Sequence, residues 1–427
     1  MFDYFRYYFF QRYNVWDRLI IFLFLCCVFF LPFDRLISSY FIAILCTLAI
    51  LNFFVFWKLN FQFTNTQKYF FITQLLFFLL MLVSFAYTSN TKQNLEILGR
   101  HISVLILPVI IFYFKDVIRR ESFTIVAVFV IANVIAAVFC YANAIYNFFY
   151  APKLSWGSYF FYNWFSVLTH STYFAFYSNF SVAILFVILD VIWKQKRTLF
   201  KIICILFIVF LSFTIYLLSS RAGLLSLLII ITWRIIKFFV NYKNLKLKIA
   251  IVILFATFIV ISLQNYRVQA MIKELKAISN TKDEKVPSRM IIWKNSLDVF
   301  LNNFWLGTSP ADATKELDKN MLEKYNFQKA VDKHFNSHNQ FLQNAVEYGI
   351  VGLLILLTML SLAFIVAFKS KNTILLWFLV LLVFNFLFES MFEVAVGIIY
   401  IFFFINFLVL VFEKRIFLKH IDKIDFI

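Results

Sequence analysis

The sequence predicts an all-α polytopic membrane protein of about 12 transmembrane helices, with one large periplasmic loop subdomain between spans 9 and 10. Three observations carry this. Of the 427 residues, 63% are hydrophobic and only 15% are charged, too few charges to solvate a soluble chain of that size. Apolar runs long enough to cross a hydrocarbon layer of ~30 Å recur along the chain, each fenced by charged or aromatic residues. One long polar interruption, residues 265–345, breaks the series.

The runs lie near residues 18–33, 36–56, 69–88, 99–114, 123–149, 173–193, 200–219, 222–240, 248–264, 346–368, 373–390 and 395–412. They divide the chain into a membrane domain of spans 1–9 (1–264), the loop subdomain (265–345), spans 10–12 (346–412) and a basic cytoplasmic tail (413–427). Lys and Arg in short loops stay on the cytoplasmic side. With the amino terminus inside, the short outer loops hold only Arg35, Lys92, Arg100, Lys153 and Arg221. The long stretch is too large to obey that rule and is expected to face outward.

The net charge of +18 is spread over short inner connectors instead of one face, which argues against a nucleic-acid partner. Cys26, Cys27, Cys46, Cys140 and Cys204 all fall in predicted spans, so no disulfide framework is implied. The first apolar run is expected to remain as an anchor. The 61 phenylalanines are scattered over every span and carry no motif.

Within the long stretch, residues 288–303 read as a helix opened by Ser288 as N-cap, with Met290, Trp293, Leu297 and Phe300 on one apolar face. Residues 311–325 are charged nearly throughout and read as a solvated helix or loop. Leu306-Gly307-Thr308-Ser309-Pro310 between them is turn chemistry. Seven glycines and five prolines offer few of the midplane helix breaks that alternating-access transporters use. Asp190 lies near the inner end of its span and Arg234 can snorkel, so neither marks a midplane ion site.

Four histidines, His101, His170, His334 and His338, fall on the outer side with Arg221 and Arg289. An enzyme working there has no nucleotide sugar or ATP, so its substrate must arrive activated, as a glycan joined through diphosphate to a membrane lipid. Transfer then needs a base for the acceptor hydroxyl and cations for the departing lipid diphosphate. Histidine suits the first task and arginine, with its planar fork of donors, the second. His338 is therefore the candidate catalytic residue, and Arg221 and Arg289 the candidate diphosphate-binding pair. Simpler roles exist for each: a headgroup anchor for Arg221, packing on Trp293 one turn later for Arg289, and a satisfied polar residue at a helix entry for His338.

On a helix, His334 and His338 are spaced to share a metal, but no further ligand has an obvious spacing; no metal and no cofactor are expected. Glu347 begins the next span as Glu347-Tyr348-Gly349-Ile350-Val351-Gly352, whose glycines permit close helix approach. Glu389 and Glu393, at the last outer turn, are placed to orient His338, to bind sugar hydroxyls, or to sit as solvated interface acids.

Three segments, in this order, resemble the O-antigen ligase and O-antigen polymerase superfamily of bacterial envelope glycosyltransferases. They are Ser219-Ser220-Arg221-Ala222-Gly223, then Arg289-Met290-Ile291-Ile292-Trp293 leading to Leu306-Gly307, then Ser337-His338-Asn339-Gln340-Phe341-Leu342 leading to Glu347 through Gly352. A weaker fourth is His170-Ser171-Thr172-Tyr173, with Ser171 where proline is usual. The resemblance spans about residues 165–400. It implies a metal-independent, inverting glycosyltransferase of the bacterial inner membrane that takes an undecaprenyl-diphosphate-linked glycan and passes it to an acceptor hydroxyl at the periplasmic face. By position, Arg221 and Arg289 would hold the diphosphate and His338 would assist the acceptor hydroxyl. His170, Asn339, Glu347 and Trp293 would support them.

The acceptor is lipid A-core in ligases of lipopolysaccharide biosynthesis, a second lipid-linked repeat unit in O-antigen or exopolysaccharide polymerases, and a protein hydroxyl in some relatives. A long late loop followed by three spans points to the ligase. The alternatives are the repeat-unit polymerase and, from other classes, a polytopic lipid-glycan or solute transporter or a structural assembly partner. Expected partners are the glycan donor, the lipid A-core or glycan acceptor, and membrane lipid.

Overall fold

The computed structural model describes residues 14–56, 63–150, 158–241, 289–327, 331–332 and 334–423, with scattered positions between 248 and 269. Helices dominate and no strand occurs among the described residues. Among the described residues, eight helices are long and apolar enough to cross a membrane: Leu36–Phe54, Asn65–Ala86, Thr91–Tyr113, Ser122–Tyr150, Ser171–Ile192, Thr198–Leu218, Arg221–Val240 and Gln340–Lys369. The expected first, eleventh and twelfth spans are helices of lesser length, Val15–Phe30, Thr373–Phe386 and Ala395–Val411. The expected ninth span, 248–264, and Ser288 lie outside the described residues apart from isolated positions. The chain is a multi-pass, all-helical membrane protein.

Two compact units make up the chain: Met1–Ala132 with Val187–Lys201 and Lys285–Ile427, and Asn133–Phe186 with Ile202–Glu284. In the first, the Asn65–Ala86 span packs along Gln340–Lys369, and Ala395–Asn406 packs along Ser103–Tyr113. Phenylalanine fills the spaces between helices: Phe77 meets Tyr348 edge-on at 5.6 Å and Phe129 stacks with Tyr400 at 5.8 Å. Within this apolar bundle Gln74 and Asn406 exchange two amide hydrogen bonds of 2.9 Å, satisfying both groups away from water. In the second unit, Ser171–Ile192 and Arg221–Asn241 approach closely at Ala175 and Gly223, where Asn179 Nδ2 donates to the Gly223 carbonyl at 3.0 Å.

Two readings of the long polar stretch need correction. The Arg289–Asn302 helix buries Ile292, Asn295, Ser296, Val299 and Phe300, while Met290 and Leu297 are exposed. Of the four residues on the expected apolar face, Phe300 is therefore turned inward and Trp293 partly so, while Met290 and Leu297 are not. The Pro310–Tyr325 helix is not merely solvated, because Ala313, Leu317 and Met321, spaced by four, are buried among its charges. Val299, Phe300, Ala313, Leu317, Ala345 and Val346 form one small apolar core that joins both helices to the start of the Gln340–Lys369 span.

Candidate functional site

The Gln340–Lys369 helix contains one residue outside helical geometry, Gly349 (φ 64°, ψ −158°). Into that break fits the turn that precedes Pro310. Ile350 N–H donates to the Phe304 carbonyl at 2.8 Å, Thr308 N–H to Val346 at 2.8 Å, and Ser309 N–H to Glu347 at 3.1 Å. Gly307 (φ 70°) faces Gly349: a Cβ on Gly307 would lie 2.5 Å from the Glu347 carbonyl carbon, and one on Gly349 2.4 Å from that of Trp305. Only glycine meets both the dihedral and the contact. The expected close approach therefore occurs, but it is a backbone-to-backbone crossing with a turn, and Glu347 precedes the break instead of beginning the span.

Upstream of the break, residues 340–348 form a short helix whose polar side chains are buried. Asn339 caps it, accepting the Phe341 and Leu342 N–H groups at 3.0 and 3.2 Å. Gln340 Oε1 accepts the Phe392 N–H at 2.7 Å, and Gln343 Nε2 donates to Glu347 Oε1 at 2.8 Å. Gln343 Oε1 also accepts the Ser337 N–H at 2.9 Å, and Ser296 Oγ donates to Ser337 Oγ at 3.0 Å. These bonds tie the His338 loop to the Arg289–Asn302 helix and to the 387–393 turn.

His338 itself has φ 44°, an uncommon conformation for a non-glycine residue. Its ring Nδ1 lies 3.3 Å from Glu389 Oε1. Arg289, first residue of its helix, donates from Nη1 to the carbonyl of Phe388 at 2.8 Å and lies 5.9 Å over the Phe388 ring. Arg289 thus packs on Phe388. Asn339 Nδ2 reaches the Leu387 carbonyl at 3.4 Å. Three consecutive residues, Leu387, Phe388 and Glu389, thus receive Asn339, Arg289 and His338.

His334 belongs to a different pair: Nδ1 donates to Asp318 Oδ2 at 2.6 Å, at the surface. Residues 334–339 are loop, so His334 and His338 do not share a helical face. No group of three His, Cys, Asp or Glu suited to a metal occurs among the described residues. His101 is buried within its helix, donating to Ile97 O at 2.9 Å. Glu347 is buried. Beside it, the Tyr87 hydroxyl donates to Leu306 O at 2.8 Å; burial, then the Glu347 charge, push this phenol up to about 12, so it stays a donor.

Arg221 and His170 belong to the second unit. Ser219 (φ 49°) ends one span, Ser220 Oγ accepts the Gly223 N–H at 3.2 Å, and Arg221 opens the next helix with its side chain half-buried. His170 ends the preceding loop; its carbonyl accepts the Tyr173 and Phe174 N–H groups, and its ring meets Tyr162 and Tyr173 edge-on at 6.0 and 6.2 Å. Sequence reasoning missed Phe388 and the buried amides Gln340 and Gln343. A signal was available for the amides: three of five residues from 340 to 344 are Gln or Asn at the mouth of an apolar run.

Residues 206–357 match the family model described as O-antigen ligase. The matched stretch includes Ser219–Gly223, the Arg289 helix, the 306–309 turn and the His338–Gly352 segment. The resemblance to the O-antigen ligase and polymerase superfamily is thereby supported, and with it an enzyme of ligase or polymerase type acting with lipid-linked glycan and acceptor in a membrane. No curated protein matches the chain at a significant level.

Proposed function

We propose that this protein is an inverting glycosyltransferase that moves a glycan from undecaprenyl diphosphate to an acceptor hydroxyl, of lipid A-core, at the periplasmic face of the inner membrane. The observation that supports it best is the convergence of His338 and Arg289 on Phe388 and Glu389. A carboxylate at Nδ1 fixes the imidazole tautomer, leaving Nε2 as the base. Nε2 takes the acceptor proton as that oxygen bonds to the anomeric carbon. The bond from this carbon to the phosphate oxygen breaks, and undecaprenyl diphosphate leaves with the electron pair. Arg289 supplies positive charge to that leaving group, and the resemblance gives Arg221 as a second diphosphate-binding residue. Glu389 is a positioning residue.

The transporter reading is weakened by the place of the helix break: Gly349 lies before the full-length apolar run Ile350–Lys369, away from its middle. Purified protein in proteoliposomes with lipid-linked glycan and lipid A-core tests the proposal. Glycan-bearing lipid A-core should form without added divalent ion. His338→Ala should lower turnover by about 10²- to 10⁴-fold with donor binding retained, and Arg221→Ala and Arg289→Ala should weaken donor binding. Full activity in all three variants would end the site assignment, and longer lipid-linked glycan in place of modified core would identify a polymerase.

A further inference from the structure

The Arg289–Asn302 helix carries a stripe of large side chains turned away from its own core. Met290, Leu297 and Leu301 are 52%, 44% and 58% exposed, and Trp305, just beyond the helix, is 72% exposed. Lys294, also exposed, lies on the same stripe at the helical spacing 290, 294, 297, 301. An apolar stripe of this size on a helix rich in polar residues needs a partner.

The position of the stripe identifies that partner. Ile350–Lys369 rises about 30 Å at 1.5 Å per residue, the thickness of a hydrocarbon core. Ile350 therefore stands at the mouth of the bilayer. The 2.8 Å bond from Ile350 N–H to the Phe304 carbonyl and the crossed glycines 307 and 349 fix Trp305 at that level. The buried side of the helix, through Val299 and Phe300, rests on Ala345 and Val346 at the same end of the span. A helix held across the end of a membrane span, with its opposite side apolar, one tryptophan at the boundary and one lysine able to reach lipid phosphates, matches an interfacial helix.

We propose that the Met290–Trp305 stripe lies in the phospholipid leaflet at this end of the span, as a monotopic element that keeps Arg289 at headgroup depth. The proposal stands on the stripe and the clamp and does not depend on the reaction assigned above.

The experiment uses the full chain in nanodiscs of phosphatidylethanolamine and phosphatidylglycerol, with Cys26 and Cys46 replaced by alanine; the other cysteines are buried. Leu301→Cys and Trp305→Cys are labelled with an environment-sensitive fluorophore. Lys319→Cys, at an exposed position of the Pro310–Tyr325 helix, is the aqueous control. Labels at 301 and 305 should be quenched severalfold more by lipids spin-labelled near the headgroup than by iodide, and the label at 319 the reverse. Labels at 301 and 305 that behave as at 319, or that neither quencher reaches because protein covers them, would overturn the proposal.

Discussion

Two of the helix starts in the segments that resemble glycosyltransferases are built alike for three residues before they diverge. At Ser219-Ser220-Arg221 and at His338-Asn339-Gln340, a residue of positive φ is followed by a capping side chain and then by the helix. The candidate functional group differs: Arg221 is the first helical residue, whereas His338 is the strained one. Non-glycine residues held at positive φ cost free energy and persist where surrounding bonds over-determine them. Around His338 those bonds are named: Ser337 to Gln343, Asn339 to the helix start and Leu387, Gln340 to Phe392.

Downstream, each start has a glycine under close approach, of two different kinds. Gly223 faces the Cβ of Ala175, an ordinary crossing of small residues between membrane helices. Gly349 faces main-chain atoms of Trp305 and Leu306 and has a dihedral other residues avoid. A side-chain contact can yield when helices part slightly, but a backbone crossing cannot. Gly349→Ala should therefore have the largest effect, a loss of about 4 kcal/mol or more, measured as collapse of the thermal transition in detergent. A variant that melts like the parent would show that the crossing is dispensable.

The same crossing is held from its other side by Asp312. Its carboxylate accepts hydrogen bonds from Thr88 Oγ1 at 2.9 Å, Ser89 N–H at 2.8 Å and Ser309 Oγ at 2.8 Å, as well as from Ser89 Oγ. Burial pushes this carboxyl up, but the bonds from Ser89, Ser309 and Thr88 outweigh burial and hold it below the usual carboxylate range. A depressed carboxylate stabilises the fold above its unfolded pKa, near 3.9, and loses that contribution as pH falls through the lower folded value. Asp312→Ala should cost on the order of 3 kcal/mol at neutral pH, and Asp312→Asn should flatten the melting temperature's dependence on pH below about 4. An unchanged pH profile in Asp312→Asn would detach this carboxylate from the clamp's stability.

Much of the architecture was legible because a bilayer demands long apolar runs, and most of those runs are helices here. The His338 and Arg221 segments were legible as motifs. The pairing of His338 with Glu389 lies 51 residues apart and joins two polar groups with no periodic signal between them. The 304–309 crossing is made by main-chain atoms, which sequence types do not distinguish except through Gly307 and Gly349. The Arg289–Asn302 helix misled because Met290 and Leu297, two of the four residues on its apolar face, are exposed, whereas the polar Asn295 and Ser296 are buried. The Pro310–Tyr325 helix misled because its buried apolar residues are outnumbered by charges.

At the Ser219–Arg221 helix start the expected effects are smaller and separate packing from capping. Gly223→Ala would set a Cβ 2.6 Å from that of Ala175 and press on the Asn179–Gly223 hydrogen bond, which requires the two helices to move apart by several tenths of an ångström. A loss of about 2 kcal/mol is expected, about half the effect at Gly349; equal losses at both glycines would erase the distinction between the two kinds of contact.

Ser220→Ala and Asn339→Ala each remove one cap and should each cost about 1 kcal/mol of stability, but their consequences for activity should differ. Removing the Ser220 cap frays the first turn, of which Arg221 is itself a member, so donor affinity should fall. Asn339 also binds the Leu387 carbonyl, next to the two residues that receive Arg289 and His338. Its loss should therefore lower turnover more than donor affinity, because the imidazole depends on that loop for its partner Glu389. Turnover and donor titrations on the two variants, at matched stability, make the comparison. Parallel losses in both quantities would mean that the two helix starts, for all their difference downstream, serve one and the same step.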